Sequence, residues 1–180
     1  IVFSGLKSLT GKNYVERTII KAIKNDIAIY AIHTNLDNVY NGVNKKIADI
    51  IGLTNQKVLS PKSSTLSKLV TFIPKENSKE ILNKLHEAGA GQIGNYSHCS
   101  FSSEGIGTFK PNEIANPTIG ESGKTETVTE ERIELIFPSA IEAKLVTALK
   151  SAHPYEEVAY YITRLSNSNQ EIGAGMVGDL

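Results

Sequence analysis

The spacing of apolar positions divides the chain before any motif is considered. Over residues 13–25, Val15, Ile19, Ala22 and Ile23 recur on one helix face, with Asn13 as cap and Asn25-Asp26 as stop. Residues 27–32 (Ile-Ala-Ile-Tyr-Ala-Ile) are continuously apolar and rich in β-branched side chains, which predicts a strand buried on both faces of a sheet. After a polar stretch over 33–44, Ile47, Ile50 and Ile51 mark a second helix with Gly52 at its C-terminal cap. The order helix, strand, loop, helix predicts part of an open α/β sheet.

Ser60-Pro61-Lys62-Ser63-Ser64-Thr65 interrupts this with turn formers, and a boundary is placed there. Beyond that boundary one pattern is written twice. Leu69-Val70-Thr71-Phe72-Ile73-Pro74 resembles Arg132-Ile133-Glu134-Leu135-Ile136-Phe137-Pro138, and the two prolines lie 64 positions apart. The same offset pairs Ile81 with Leu145, Leu82 with Val146, Leu85 with Leu149, Ala88 with Ala152 and Tyr96 with Tyr160. Each copy reads strand, helix, strand: 68–73, 78–88 and 93–101, then 132–137, 141–152 and 157–165. Two tandem βαβ units predict a ferredoxin-like α+β sandwich, with two helices on one face of a four-stranded sheet. Residues 105–124, rich in Gly, Pro, Asn and Ser, form a long connection between the copies. The expected organisation is 1–65 as part of an α/β domain, 66–166 as the duplicated unit, and 167–180 as a linker and return.

Composition narrows the function classes. Hydrophobic residues at 40 % and charged residues at 21 % are those of a folding globular chain. Lys plus Arg equals Asp plus Glu at 19 each, so no net field favours nucleic acid or anionic lipid as partners. No apolar run reaches the roughly 20 residues that span a bilayer, and residues 1–10 lack the layout of a signal peptide, so a cytoplasmic location is expected. Cys99 is the only cysteine, which excludes an internal disulfide and a thiolate metal cage. Met176 is the only methionine; nothing at Ile1 resembles a translation start, and the chain is read as a piece of a longer protein.

Four motifs bear on chemistry. Residues 5–13 (Gly-Leu-Lys-Ser-Leu-Thr-Gly-Lys-Asn) approach a phosphate loop, but five residues separate the glycines and Asn13 replaces the magnesium-binding Ser or Thr; a loop leading into a helix is expected. Gly173, Gly175 and Gly178 match Gly-x-Gly-x-x-Gly without a following helix, and are read as a glycine-rich strand or turn. His33-Thr34-Asn35-Leu36-Asp37 comes directly after the apolar run at 27–32, where open α/β sheets collect ligands. There Asp37 offers a hard oxygen to a divalent metal and His33 an imidazole; the competing reading is that Asp37 caps the next helix. His153-Pro154-Tyr155-Glu156-Glu157 lies between the last helix and the last strand of the duplicated unit. His153, Tyr155 and Glu156 are candidates for a small-molecule or subunit contact, against a plain helix-ending turn. His98-Cys99 is read as strand, with Cys99 a small core residue, and His86 as a solvated helix residue.

Taken together, Gly5-Leu6-Lys7-Ser8-Leu9-Thr10, the His33 to Asp37 stretch, Leu59-Ser60-Pro61, the run from Gly89 to Phe101, and His153-Pro154-Tyr155-Glu156-Glu157-Val158-Ala159-Tyr160 resemble the dinuclear-metal-centre hexameric proteins. These are the Nif-three-like family, also called GTP cyclohydrolase I type 2 homologues, here of the subgroup with a PII-like or CutA-like insert. The resemblance implies a metal-dependent hydrolase that assembles as a homohexamer and acts on a small molecule. It implies two divalent cations per subunit, with zinc, iron and manganese undistinguished. Of the family's metal ligands only the aspartate falls on this sequence, at Asp37, with His33 next to the centre; the others lie beyond the chain. No catalytic residue is assigned. The competing class is a small-molecule-sensing or assembly module built on the insert, without catalytic activity in this chain.

Overall fold

A computed structural model describes residues 5–180; Ile1, noted above for its lack of a translation start, and the three residues after it lie outside that range. Helix α1 (Tyr14–Lys24) starts where the sequence places it. Asn13 accepts the Glu16 N–H through Oδ1 at 2.9 Å, which satisfies one of the helix's orphan donors. Helix α2 (Val43–Ile50) turns its small Ala48 inward and ends before Gly52, whose φ of +82° suits a residue with no Cβ.

The rest of the chain builds two antiparallel sheets. Strand β1 (Thr54–Pro61) pairs with β6 (Gly173–Asp179), so the chain leaves this ribbon at Pro61 and re-enters it opposite, at Gly173. The ribbon explains its glycines: a Cβ at Gly173 would sit 2.3 Å from the Ser60 carbonyl oxygen, and one at Gly178 2.5 Å from that of Thr54. Between the ribbon strands lie β2 (Leu66–Pro74), helix α3 (Ser78–Glu87), β3 (Phe101–Phe109), β4 (Glu126–Pro138), helix α4 (Glu142–Ala152) and β5 (Tyr160–Arg164). Their strands form one sheet in the order β3-β4-β2-β5, the split-βαβ arrangement expected of the duplication.

One face of that sheet and both helices share a core. Leu69 and Ile73 of β2, and Ile133, Leu135 and Phe137 of β4, alternate toward Ile81 and Leu85 of α3 and Leu145 and Leu149 of α4; all are buried. The pairs Ile81/Leu145 and Leu85/Leu149, matched by the 64-residue offset, thus occupy one core. The offset fails at its ends: Tyr160 packs against the core from β5, whereas Tyr96 stands exposed in a turn.

Two expected strands take other forms. Residues 27–32 carry no strand, and Ile29 and Tyr30 are 58 % and 79 % exposed. A strand exists through its ladder, and no described segment pairs with this one; neither described sheet includes it. Residues 93–101 form a turn closed by an Ile93–Tyr96 bridge, with Gly91, Gly94 and His98 at positive φ, and strand β3 starts only at Phe101. The alternation there belongs to a turn, and Gly105 and Gly107 obscure the true strand beyond it. Cys99 is accordingly half-buried rather than a core residue.

Candidate functional site

The approach to α1 shows why residues 5–13 are no phosphate cradle. The Glu16 carboxylate already accepts the Thr10 N–H (2.8 Å), the Thr10 hydroxyl (2.7 Å), the Lys12 N–H (3.2 Å) and the Asn13 amide (2.9 Å). The helix N-terminus therefore holds its own anion. The Thr10 hydroxyl, and then the backbone donors, hold Glu16 below the usual carboxylate range against the opposing effect of burial.

Asp37 sits in a 3₁₀ turn (Leu36–Asn38), with its N–H bonded to the Thr34 carbonyl and its own carbonyl accepting the Asn44 side-chain amide at 2.7 Å. The turn is anchored to the returning chain: Tyr40 N–H donates to the Glu171 carbonyl at 2.9 Å, and Val39 bridges to Ile172. Asp37 does not cap α2, whose N-cap is Gly42 and which has no side-chain cap. Its carboxylate makes no hydrogen bond or ion pair among the described residues, and both Asp37 and His33 are exposed. Among the described residues, no group of three or more His, Cys, Asp or Glu side chains is arranged to hold a metal ion. The residues present therefore fit one ligand of a metal centre and do not fit a whole one.

The second candidate cluster divides. His153 is buried and both ring nitrogens are committed: Nε2 faces the Phe72 carbonyl at 3.0 Å, and Nδ1 accepts the Tyr155 N–H at 3.1 Å. Those partners make Nε2 the protonated nitrogen and leave His153 a pin between α4 and β2. Tyr155 and Glu156 instead line a cavity of about 770 Å³ on the sheet face opposite the helices.

Strand register builds that cavity. Gly105 pairs with Glu130, and Ser103 with Arg132, which in turn pairs with Phe72; these residues point away from the helix core. Phe72 and Tyr161 meet edge to face with centroids 5.9 Å apart, and Phe109 lies 6.4 Å from Tyr155. The loop after β3 closes the other side, tied down where Asn116 N–H donates to Glu156 (2.9 Å) and the Thr118 hydroxyl to the Pro154 carbonyl (2.8 Å). Within the cavity, the Tyr155 hydroxyl is buried beside the Glu130 carboxylate, without a well-formed hydrogen bond. Burial, and then the nearby Glu130 carboxylate, push its pKa up to about 12.

Reading the sequence by motif missed Phe72, Phe109, Glu130, Arg132 and Tyr161. The available signal was the alternation along residues 127–137, which sends Glu130 and Arg132 to the face that Ile133 and Leu135 avoid.

Comparison with known proteins decides the family. The family model of Duf34/NIF3 (NGG1p interacting factor 3) matches residues 1–161. The chain belongs to that family. The family's "GTP cyclohydrolase 1 type 2 homolog" of Bacillus subtilis is 46 % identical over 180 residues, which cover 99 % of this chain and 48 % of that protein. The Mycobacterium tuberculosis protein of the same name is 39 % identical over 162 residues, covering 89 % of this chain and 43 % of that one. Among solved structures, a Bacillus cereus protein related to NIF3 aligns with a TM-score of 0.77 and 45 % identity, over 98 % of this chain and 46 % of that chain. The chain thus spans about half the length of the relatives it matches. No described helix is long and apolar enough to cross a membrane.

Proposed function

We propose that this chain is part of a cytoplasmic, divalent-metal-dependent hydrolase acting on a small molecule, and that its share of the metal centre is one oxygen ligand, Asp37. Family membership supports the reading, and one observation in the chain carries it: a carboxylate on an anchored turn that neither caps a helix nor pairs with a cation among the described residues. Two-metal centres of His and carboxylate ligands serve hydrolysis. The remaining ligands lie outside this chain, His33 stands beside the centre, and the assembly is a homohexamer. Residues 66–166 are an insert between 1–65 and 167–180, which the pairing of β1 with β6 on either side of the four-stranded sheet supports.

The test is the metal content of a family protein carrying this sequence at the relatives' full length, beside its Asp37→Asn variant. Loss of about one bound equivalent, with unchanged circular dichroism, is the expected result. Equal stoichiometry in the two proteins would remove Asp37 from the centre.

A second reading, that the insert senses a small molecule, is favoured by a specific observation: the cavity opposite the helices gathers aromatic walls around a buried hydroxyl and the Glu130 carboxylate beside it. Convergent polar groups in a largely apolar hollow are what ligand sites present.

A further inference from the structure

The cavity's own chemistry narrows what it takes. Its walls are aromatic, from Phe72, Phe109, Tyr155 and Tyr161. Its charge is acidic: Glu104, Glu130, Glu156 and Glu157 face two cations, Lys110 and Arg132. Arg132 is already held by Glu134 at 2.6 Å, while Glu104 is held by Lys75 at 2.9 Å and Glu156 by the Asn116 N–H. Glu130, half-buried on the floor, has no ion pair among the described residues. Its carboxylate lies over Gly107, where a Cβ would come within 2.3 Å of Oε2, so the absence of a side chain at 107 makes room for it.

We propose that this cavity binds a flat aromatic cation bearing N–H donors, of the amidine, guanidine or aminoheterocycle class, with its ring against the aromatic walls and its N–H groups on Glu130. The inference rests on the sensing reading above. Planar N–H pairs match a carboxylate in a bidentate fork, and aromatic side chains favour a cation over their faces. The Tyr155 hydroxyl, which lies against Glu130 without a well-formed hydrogen bond, stands beside the same carboxylate and can add a polar contact to a ligand held there.

The experiment titrates the full 180-residue chain with benzamidine, its uncharged isostere benzamide, and benzoate, following amide shifts by NMR. Benzamidine should bind at least about tenfold tighter than benzamide, with benzoate weakest, and should shift Gly107 and Tyr155. In Glu130→Gln, benzamidine should fall to the benzamide level. Gly107→Ala, which displaces the Glu130 carboxylate without touching the core, should reduce the same preference. Equal binding of benzamidine and benzamide, or a preference untouched by Glu130→Gln, would overturn the ligand class while leaving the cavity as a binding site. No response to any of the three up to about 10 mM would overturn the sensing reading with it.

Discussion

The four-stranded unit and the segments that flank it use similar sequence patterns with opposite outcomes. In the unit, the apolar faces of α3 and α4 close on β2 and β4, and Leu85, Leu145 and Leu149 are fully buried. In the flank, α1 and α2 are also amphipathic, yet Ile23, Ile47, Ile50 and Ile51 stand between 51 % and 72 % exposed. An apolar stripe stabilises only when something covers it. The candidate sites divide in the same way. The cavity is assembled wholly from strands and loops of the unit, whereas Asp37 offers a single carboxylate on the flank.

Substitutions in the two regions sharpen that contrast. The largest effect is expected from Leu149→Ala or Leu85→Ala, which should cost about 2–5 kcal/mol in urea unfolding. Ile50→Ala, the same kind of truncation at a 72 % exposed site, should stay within about 0.5 kcal/mol in this chain. A comparable loss at Ile50 would mean that the flank has a core of its own.

Gly173→Ala tests the ribbon that joins the flank's two ends. Its Cβ would press on the Ser60 carbonyl, so a loss of about 1–3 kcal/mol is expected. Hydrogen exchange should quicken along β1 and β6 and leave α3 unchanged; equal quickening in α3 would show that the ribbon and the unit unfold together.

Smaller still is the cap of α1, where Asn13→Ala should cost about 0.5–2 kcal/mol. The pH dependence there has a definite sign. Glu16 is held below its ordinary value, so its contribution is complete above about pH 4.5 and is lost as pH falls through the folded-state value. Thermal melts of Glu16→Gln should show less acid sensitivity than the parent, and identical acid limbs would contradict the network around Thr10.

The smallest effect is spectroscopic. Tyr155 should ionise near pH 12 rather than 10, so stability should fall between those values as the folded state retains the proton. The difference in tyrosinate absorbance between the parent and Tyr155→Phe isolates this group. Glu130→Gln should lower the midpoint only part of the way, because burial is the larger cause.

The duplicated helix faces were legible because a core facing both helices repeats its apolar positions, as Ile81/Leu145 and Leu85/Leu149 do. The end of α4 was also legible, since His153-Pro154 cannot continue a helix. Residues 27–32 misled because a continuous apolar run states a demand for burial without naming what supplies it. Strand β3 escaped because Ser102, Ser103, Gly105 and Gly107 carry little β-branched signal. The cavity was illegible for a different reason. Phe72, Glu130, Arg132 and Tyr161 come from three strands distant in sequence, and only the register brings them to one face. Asp37 was singled out by its place after an apolar run, and among the described residues no cluster of metal-ligating side chains gathers around it.

The most direct measurement is the metal retained by this 180-residue chain after loading with zinc or manganese and dialysis. The account predicts no stoichiometric metal on the isolated chain, and Asp37-dependent retention in a family protein of full length. One or more tightly held equivalents on the chain alone, lost in Asp37→Asn, would show that the flank completes a centre by itself and would contradict the division between the two regions.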